Sequence, residues 1–137
     1  MLNIIKSIQL VEIITSINKM DFDRSKVLTE DASVAFSLRT EFAEDNEKVT
    51  CRLSISIDAL GTQDDGPDIF KSALKIDYIF KILDREAFYS LSDDERLNLA
   101  SNYSYLDFRA RLINSLKSTG MVSIEIPYSI DKMKNPN

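Results

Sequence analysis

The chain of 137 residues has no histidine and no tryptophan, one cysteine, three glycines and three prolines. Without histidine, imidazole acid–base catalysis and the commonest zinc ligand are excluded. A single cysteine excludes an internal disulfide, which fits a reducing compartment. Three scattered glycines do not make a glycine-rich phosphate loop. No motif places a nucleophile or a carboxylate pair, so we expect no enzyme, no catalytic residue and no cofactor.

Positive charge is also in the minority, with 17 Lys and Arg against 22 Asp and Glu, a net charge of −5 and a pI near 4.8. This balance argues against non-specific nucleic-acid binding. The densest acidic cluster, Asp64 to Asp68, has Lys75 where an EF-hand loop needs a carboxylate, so it predicts a solvated turn and no metal site. No apolar run suits a signal peptide or a membrane span. We expect a single cytoplasmic domain over residues 1–137.

Three runs of strict apolar alternation lie between Val34 and Ile82, at residues 34–42, 49–59 and 70–82. A period of two predicts strands with one buried face and one wet face. The short polar connections predict an antiparallel three-stranded meander whose apolar face needs a cover. Cys51 falls on the inward side of the second run and is expected to be a small core residue.

The first twenty residues are rich in isoleucine and fit either a helix or a strand. The β-branched residues of Val11–Thr15 favour a strand that begins at about Ile8. Its apolar residues fall on both faces. This predicts a strand covered on both sides or one at a subunit interface.

Two helical segments are predicted after the meander. Ser92 and Glu95 have the spacing of a capping box, which predicts a short helix to about Ala100. A second helical pattern covers residues 103–119, and its apolar face contains Tyr105, Phe108, Leu112 and Leu116. Arg109 projects from the middle of this face. It is expected either to extend to the edge of the apolar face or to meet a carboxylate across an interface.

The apolar residues exceed what one thin layer of sheet and helix can cover. Full burial of one Leu, Ile or Phe side chain contributes roughly 1.5–3 kcal/mol, so uncovered positions favour association. The excess therefore predicts self-association, a surface for client proteins, or both.

The order of these elements resembles the SecB-like export chaperones from about Ile8 to Ile130, without one sharp motif. The matching pieces are Ile8-Gln9, Val34-Ala35-Phe36-Ser37-Leu38, Phe70 to Ile82 with the pair Ile79-Phe80, Leu106 to Gly120, and Pro127-Tyr128-Ser129-Ile130.

The resemblance implies an α+β fold in which a four-stranded antiparallel sheet has a long helix packed on one face. It also implies a homotetramer, built as a dimer of dimers, with the long helices between sheets and the first strands meeting at the dimer contact. The interface residues expected on this basis are Ile8, Leu10, Val11, Ile13, Tyr105, Phe108, Arg109, Leu112 and Leu116.

The implied function is that of an ATP-independent holdase, which binds unfolded or aggregation-prone client proteins in apolar grooves. Phe36, Leu38 and Phe70 match the family's client-groove positions in residue character. A crossover region that edges the groove in the family corresponds to Met20, Phe22, Val27 and Leu28.

The chain also departs from the family pattern. The crossover tryptophan is replaced by Glu30. In the acidic surface that docks the motor SecA, Asp23 keeps one carboxylate while Lys19 and Ala73 replace two others, so docking to SecA is in doubt. A solitary or dedicated chaperone, such as one that protects an antitoxin, fits these departures better. The alternative is a non-chaperone oligomeric scaffold or adaptor on the same fold, which the missing tryptophan and the short C-terminal region support.

Overall fold

The computed structural model describes residues 2–22, 32–63, 68–117 and 126–127. Within these ranges the chain forms four strands, β1 (Ile8–Phe22), β2 (Ala32–Glu44), β3 (Thr50–Gln63) and β4 (Asp68–Ile82). It also forms three helices, α1 (Leu2–Ile5), α2 (Arg85–Tyr89) and α3 (Asp93–Lys117). The two short helices, α1 and α2, are not anticipated by the sequence pattern.

The strands form one antiparallel sheet in the order β1-β4-β3-β2. The predicted meander of β2, β3 and β4 is confirmed, and β1 pairs with β4 on the far side. Helix α3 lies on one face of this sheet. Its Asp107 accepts a 2.8 Å hydrogen bond from the Tyr78 hydroxyl, and the Tyr103 ring lies 6.1 Å from that of Phe80. The α+β architecture predicted from the resemblance is therefore confirmed.

The core lies between α3 and the inward residues of β3 and β4, as their alternation predicts. The buried inward side chains of these two strands include Cys51, Leu53, Ile55, Ile57, Ala59, Phe70, Leu74, Ile76, Tyr78, Phe80 and Ile82. Cys51 is 3% exposed, and burial, with Glu44 and Asp45 nearby, raises the pKa of its thiol to about 12. The thiol therefore stays protonated and behaves as a small core group.

Helix α3 is continuous, so the break predicted between Ala100 and residue 103 is wrong. Ala100 and the two serines that follow, Ser101 and Ser104, are all buried against the sheet. The Ser104 hydroxyl donates a 2.8 Å hydrogen bond to the Ala100 carbonyl, which satisfies it inside the core. Packing of small residues thus carries the helix through a stretch that lacks large apolar side chains.

The capping box at the start of α3 is confirmed. The Ser92 backbone N–H donates to a Glu95 carboxylate oxygen at 3.0 Å, and the Glu95 backbone N–H donates to the Ser92 hydroxyl at 3.2 Å. These two bonds satisfy backbone donors that the helix start would leave free. Helix α2 has a similar start, because the Asp84 carboxylate accepts from the Ala87 N–H at 3.0 Å.

Gly61 of β3 lies directly under the ring of Phe70, its partner on β4. A Cβ added at Gly61 would lie 2.3 Å from Phe70 Cε1, and the ring is only 1% exposed. The buried ring has little room to move away, because protein interiors are close-packed. Glycine is therefore needed at this position for steric reasons.

We expect Gly61→Ala to lower the free energy of unfolding by about 1–3 kcal/mol, the usual cost of an overpacked core. Urea denaturation followed by circular dichroism measures this change. The double variant Gly61→Ala/Phe70→Leu should be less destabilised than the sum of its two single variants, because the smaller side chain relieves the clash. Equal stability of Gly61→Ala and the unsubstituted chain would contradict the packing described here.

Candidate client-binding surface

A cavity of about 630 Å³ crosses all four strands near one end of the sheet. Each strand contributes a three-residue segment: Lys19–Asp21, Ala35–Ser37, Asp58–Leu60 and Lys71–Ala73. The strand register aligns the centres of these segments in one row, in which Met20 pairs with Ser72, Ser72 with Ala59, and Ala59 with Phe36. All four strands therefore contribute to the cavity at the same level of the sheet.

The cavity opens on the face of the sheet opposite α3. The inward residues Ala59 and Ser72 are only 2% and 8% exposed, so they offer little accessible surface. The outward residues on either side of them are exposed or half-buried, and Ala35, Leu60 and Ala73 are the apolar ones. Small apolar side chains at outward positions leave room above the backbone, and this room is the cavity.

Charged side chains of both signs surround the apolar residues. Lys19 and Lys71 supply positive charge, and Asp21 and Asp58 supply negative charge. The Asp58 carboxylate forms an ion pair with the Arg39 guanidinium, at a distance of 2.9 Å. Such exposed pairs contribute little to stability. Because the two signs balance, the cavity suits an apolar guest better than an ion of either sign.

A second apolar area lies on the same face, along β1. Val11, Ile14 and Ile17 are 52%, 41% and 38% exposed. These residues are three apart, and in a regular strand residues three apart point to opposite faces of the sheet. The register shifts between Leu10 and Glu12 and between Thr15 and Ile17 change that parity. Ile14 and Ile17 therefore pair with the outward residues of β4, and each shift adds local twist to the strand.

Asp77 of β4 ties β1 to the middle of the sheet beside the second area, because Asp77 pairs with Ile14. Its carboxylate accepts hydrogen bonds from the Ser16 hydroxyl of β1 and, at 2.5 Å, from the Ser54 hydroxyl of β3. Burial raises the pKa of Asp77, but the two hydroxyl donors, helped by the charges of Lys75 and Arg52, outweigh burial and hold this pKa below its ordinary value. The ionised carboxylate therefore stabilises the second irregularity of β1 at neutral pH.

The residues predicted for client binding have different positions. Phe36 and Met20 lie in the central row of the cavity, but they occupy inward positions and pack against the core, as Leu38 does one row away. Phe70 is 1% exposed and belongs to the core. The Phe22 backbone pairs with that of Phe70, and Val27 and Leu28 lie outside the described residues. Their role in client binding stays a prediction.

Most residues predicted for the oligomer interface are covered by this chain itself. Ile8, Tyr105, Phe108, Leu112 and Leu116 are at most 4% exposed, and Leu10 and Ile13 are half-buried against the core. Val11 is the exposed member of the set. Arg109 donates from Nε to the Ile126 carbonyl at 2.9 Å, so it reaches backbone of its own chain. A subunit contact through α3 would have to use exposed residues such as Leu106, which is 60% exposed.

Ala35, Leu60 and Ala73 were not predicted from the sequence to form a binding surface. The signal was present, because these small or apolar residues occupy outward positions where Lys, Arg, Asp and Ser are more frequent. Only the register shows that the three lie at one level of the sheet. The same register pairs Lys19 with Ala73, so two positions at which the resemblance implied acidic residues are neighbours in the cavity. Asp23, the third, lies outside the described residues.

Two negative findings apply to the described ranges. No group of three or more Cys, Asp or Glu side chains there is placed to hold a metal ion. No helix there is long and apolar enough to cross a membrane.

Comparison with known proteins shows the fold. No family model and no curated protein matches the sequence. Among solved structures, the SecB-like chaperone Rv1957 of Mycobacterium tuberculosis, in complex with a ChAD peptide from the antitoxin HigA1 (Rv1956), matches with a TM-score of 0.66 at 12% identity. The match covers 90% of this chain and 92% of the other. The protein therefore has a SecB-like chaperone fold.

Proposed function

We propose that this protein is a holdase: it binds unfolded or aggregation-prone client proteins without using ATP and keeps them from associating with one another. One observation carries the proposal, namely a fold match over 90% of the chain to a SecB-like chaperone that holds an antitoxin peptide. The apolar cavity on the open face of the sheet supports it. Its volume, about 630 Å³, lies in the range of about 300–1,000 Å³ that is usual for ligand pockets.

The physical chemistry of the open face suits this role. A holdase has to expose apolar surface to bind unfolded chains and yet stay dispersed itself. Two of the three outward apolar residues of the cavity, Ala35 and Ala73, are small, and charged side chains surround all three, which limits the continuous apolar patch. The net charge of −5 adds repulsion between copies of the chain.

The client class we propose is an aggregation-prone protein of the same compartment, which we take to be the cytoplasm, with an antitoxin as the leading candidate. The peptide held by the matched chaperone supports this choice. Docking to SecA is not part of the proposal, because Lys19 and Ala73 stand at two of the three positions where the family has acidic residues.

We also propose a homotetramer, a dimer of dimers with β1 at the dimer contact. The support is that β1 is at one edge of the sheet and exposes Val11, Ile14 and Ile17. Light scattering at micromolar concentration should therefore give about four times the chain mass, and Ile14→Glu should lower it because the charge would be buried at the contact. Leu106→Glu should likewise lower the mass, because it places a charge at the proposed second subunit contact, on α3. A monomer in the unsubstituted protein would contradict the assembly.

A scaffold without chaperone activity is the second candidate function. Phe70, a predicted client contact, is buried in the chain's own core and is only 1% exposed. A groove filled by the protein's own side chains would look like this. Such a scaffold would form oligomers but would not protect unfolded proteins. The two candidates therefore differ in one assay.

In that assay, a stoichiometric excess of the protein should suppress the aggregation of a chemically denatured model protein, followed by turbidity, with no nucleotide present. Leu60→Asp should weaken this protection several-fold, because it places a charge among the apolar residues of the cavity. The change should not unfold the protein, because Leu60 is only half-buried and points away from α3.

Ser56→Asp is the matched control, since it puts the same charge on the same face of β3 but outside the cavity. It should protect as well as the unsubstituted protein. If the unsubstituted protein gives no protection to the model protein or to a co-expressed antitoxin, the holdase proposal fails and the scaffold remains. If both variants lose protection equally, the cavity is not the client site.

A further inference from the structure

The outer edge of β2 is regular in its backbone pairing pattern. β2 pairs with β3 residue by residue from Ala32 to Glu44 without a single register shift. No other described strand pairs with its outer edge, since β2 ends the strand order. A straight edge presents its outward N–H and C=O groups at regular spacing. It is therefore a template on which another extended chain can form a ladder.

The opposite edge, β1, is a poorer template. Its register shifts twice, between Leu10 and Glu12 and between Thr15 and Ile17. Irregularities of this kind bend and twist an edge and so interrupt pairing with a further strand. The sheet therefore has one regular edge and one irregular edge.

The usual protection of an exposed edge is also missing from the first half of β2. The stretch Ala32–Leu38 carries no charge and no proline, the two sequence features that most often prevent edge pairing. The first charge after it, Arg39, is held by Asp58 of β3 at 2.9 Å and so is directed over the sheet. Farther along, Glu44 is held by the Tyr89 hydroxyl at 2.6 Å and by Arg96 at 3.4 Å.

The cavity reaches this edge at the same uncharged stretch. Ala35 and Ser37 are exposed, line the cavity and are among the shortest side chains of β2. A strand added beside β2 would lie about 4.8 Å away, and every second side chain would stand on the cavity side. Because Ala35 and Ser37 are short, they would not block those side chains from the mouth of the cavity. Backbone pairing and side-chain burial can thus occur together.

We propose that the regular edge of β2 binds an extended, uncharged segment of the client as an added strand, with alternate client side chains at the mouth of the cavity. This inference rests on the proposed holdase function and states how that function recognises its client. Main-chain hydrogen bonds supply most of the affinity in this mode, and pockets for alternate side chains supply selectivity. Backbone recognition would let one surface accept segments of different sequence, provided that they are extended and apolar.

The test uses the full chain and a fluorescent peptide of about ten residues that alternates valine and threonine, with lysine at one end and glutamate at the other. Its net charge is zero, so added charges on the protein do not repel it as a whole. Fluorescence anisotropy measures binding. Carbon-13 labels on the peptide carbonyls separate its amide I infrared band from that of the protein, and this band reports whether the bound peptide is in a β-ladder.

We expect binding with a shift of the labelled band to the β-sheet position. The double variant Ala35→Lys/Ser37→Lys should weaken binding about tenfold or more, because a strand pairing there would have to desolvate two charges. The control Asn46→Lys/Ser90→Lys makes the same change in charge at exposed positions in the β2–β3 turn and at the end of α2, outside the cavity and the proposed subunit contacts, and should bind as the unsubstituted protein does. Urea denaturation of both double variants verifies that each is folded.

The proposal is overturned if the peptide binds without the infrared shift, if the edge variant binds as tightly as the control, or if the peptide does not bind while the unsubstituted protein still suppresses aggregation. In the last case the holdase function stands and strand addition fails. If the unsubstituted protein does not suppress aggregation, the proposed holdase function itself fails. If the edge variant lowers the oligomer mass and leaves peptide binding unchanged, the occupant of the edge is a second copy of this chain, which also overturns the proposal.

Discussion

The packing of α3 against one face of the sheet determines what the other surfaces of this protein can do. Phe108, Leu112 and Leu116 are at most 2% exposed against the inward residues of β3 and β4. At roughly 1.5–3 kcal/mol for each fully buried large apolar side chain, this contact is a large part of the stability of a small domain. The Tyr78–Asp107 hydrogen bond fixes the helix position within it. Because the apolar face of α3 is used in this way, the described helices leave the opposite face of the sheet open.

The open face carries an apolar cavity at one end and an exposed apolar stripe along β1. Asp77 lies beside the stripe, where its carboxylate joins Ser16 of β1 to Ser54 of β3. The stripe is next to an irregular edge, and the cavity reaches a regular one. In the proposals above, β1 would contact another subunit, and β2 with the cavity would contact the client. Both proposed roles depend on the packing of α3 against only one face of the sheet.

The meander of β2, β3 and β4 and the core were accessible from the sequence, because an alternation of period two records which face each residue occupies. The positions of Cys51 and Leu74 in the core followed from it directly. The pairing of β1 with β4 was not accessible, since no pattern within β1 names its neighbour. The continuous α3 was not accessible, since the burial of Ser101 and Ser104 depends on the sheet surface they meet. The cavity was not accessible either. It depends on the register that brings Ala35, Leu60 and Ala73 to one level, and register is a property of strand pairs that no single strand sequence contains.

The most direct test of the account is hydrogen–deuterium exchange of the full chain, alone and with an excess of a reduced, carboxymethylated client protein that cannot fold. The account predicts slower exchange of backbone amides in β2, because a bound segment shields its outward N–H groups. It predicts little change in α3, which is already covered by the sheet. Unchanged exchange in β2, or protection confined to α3, would contradict the claim that the open face and its regular edge hold the client.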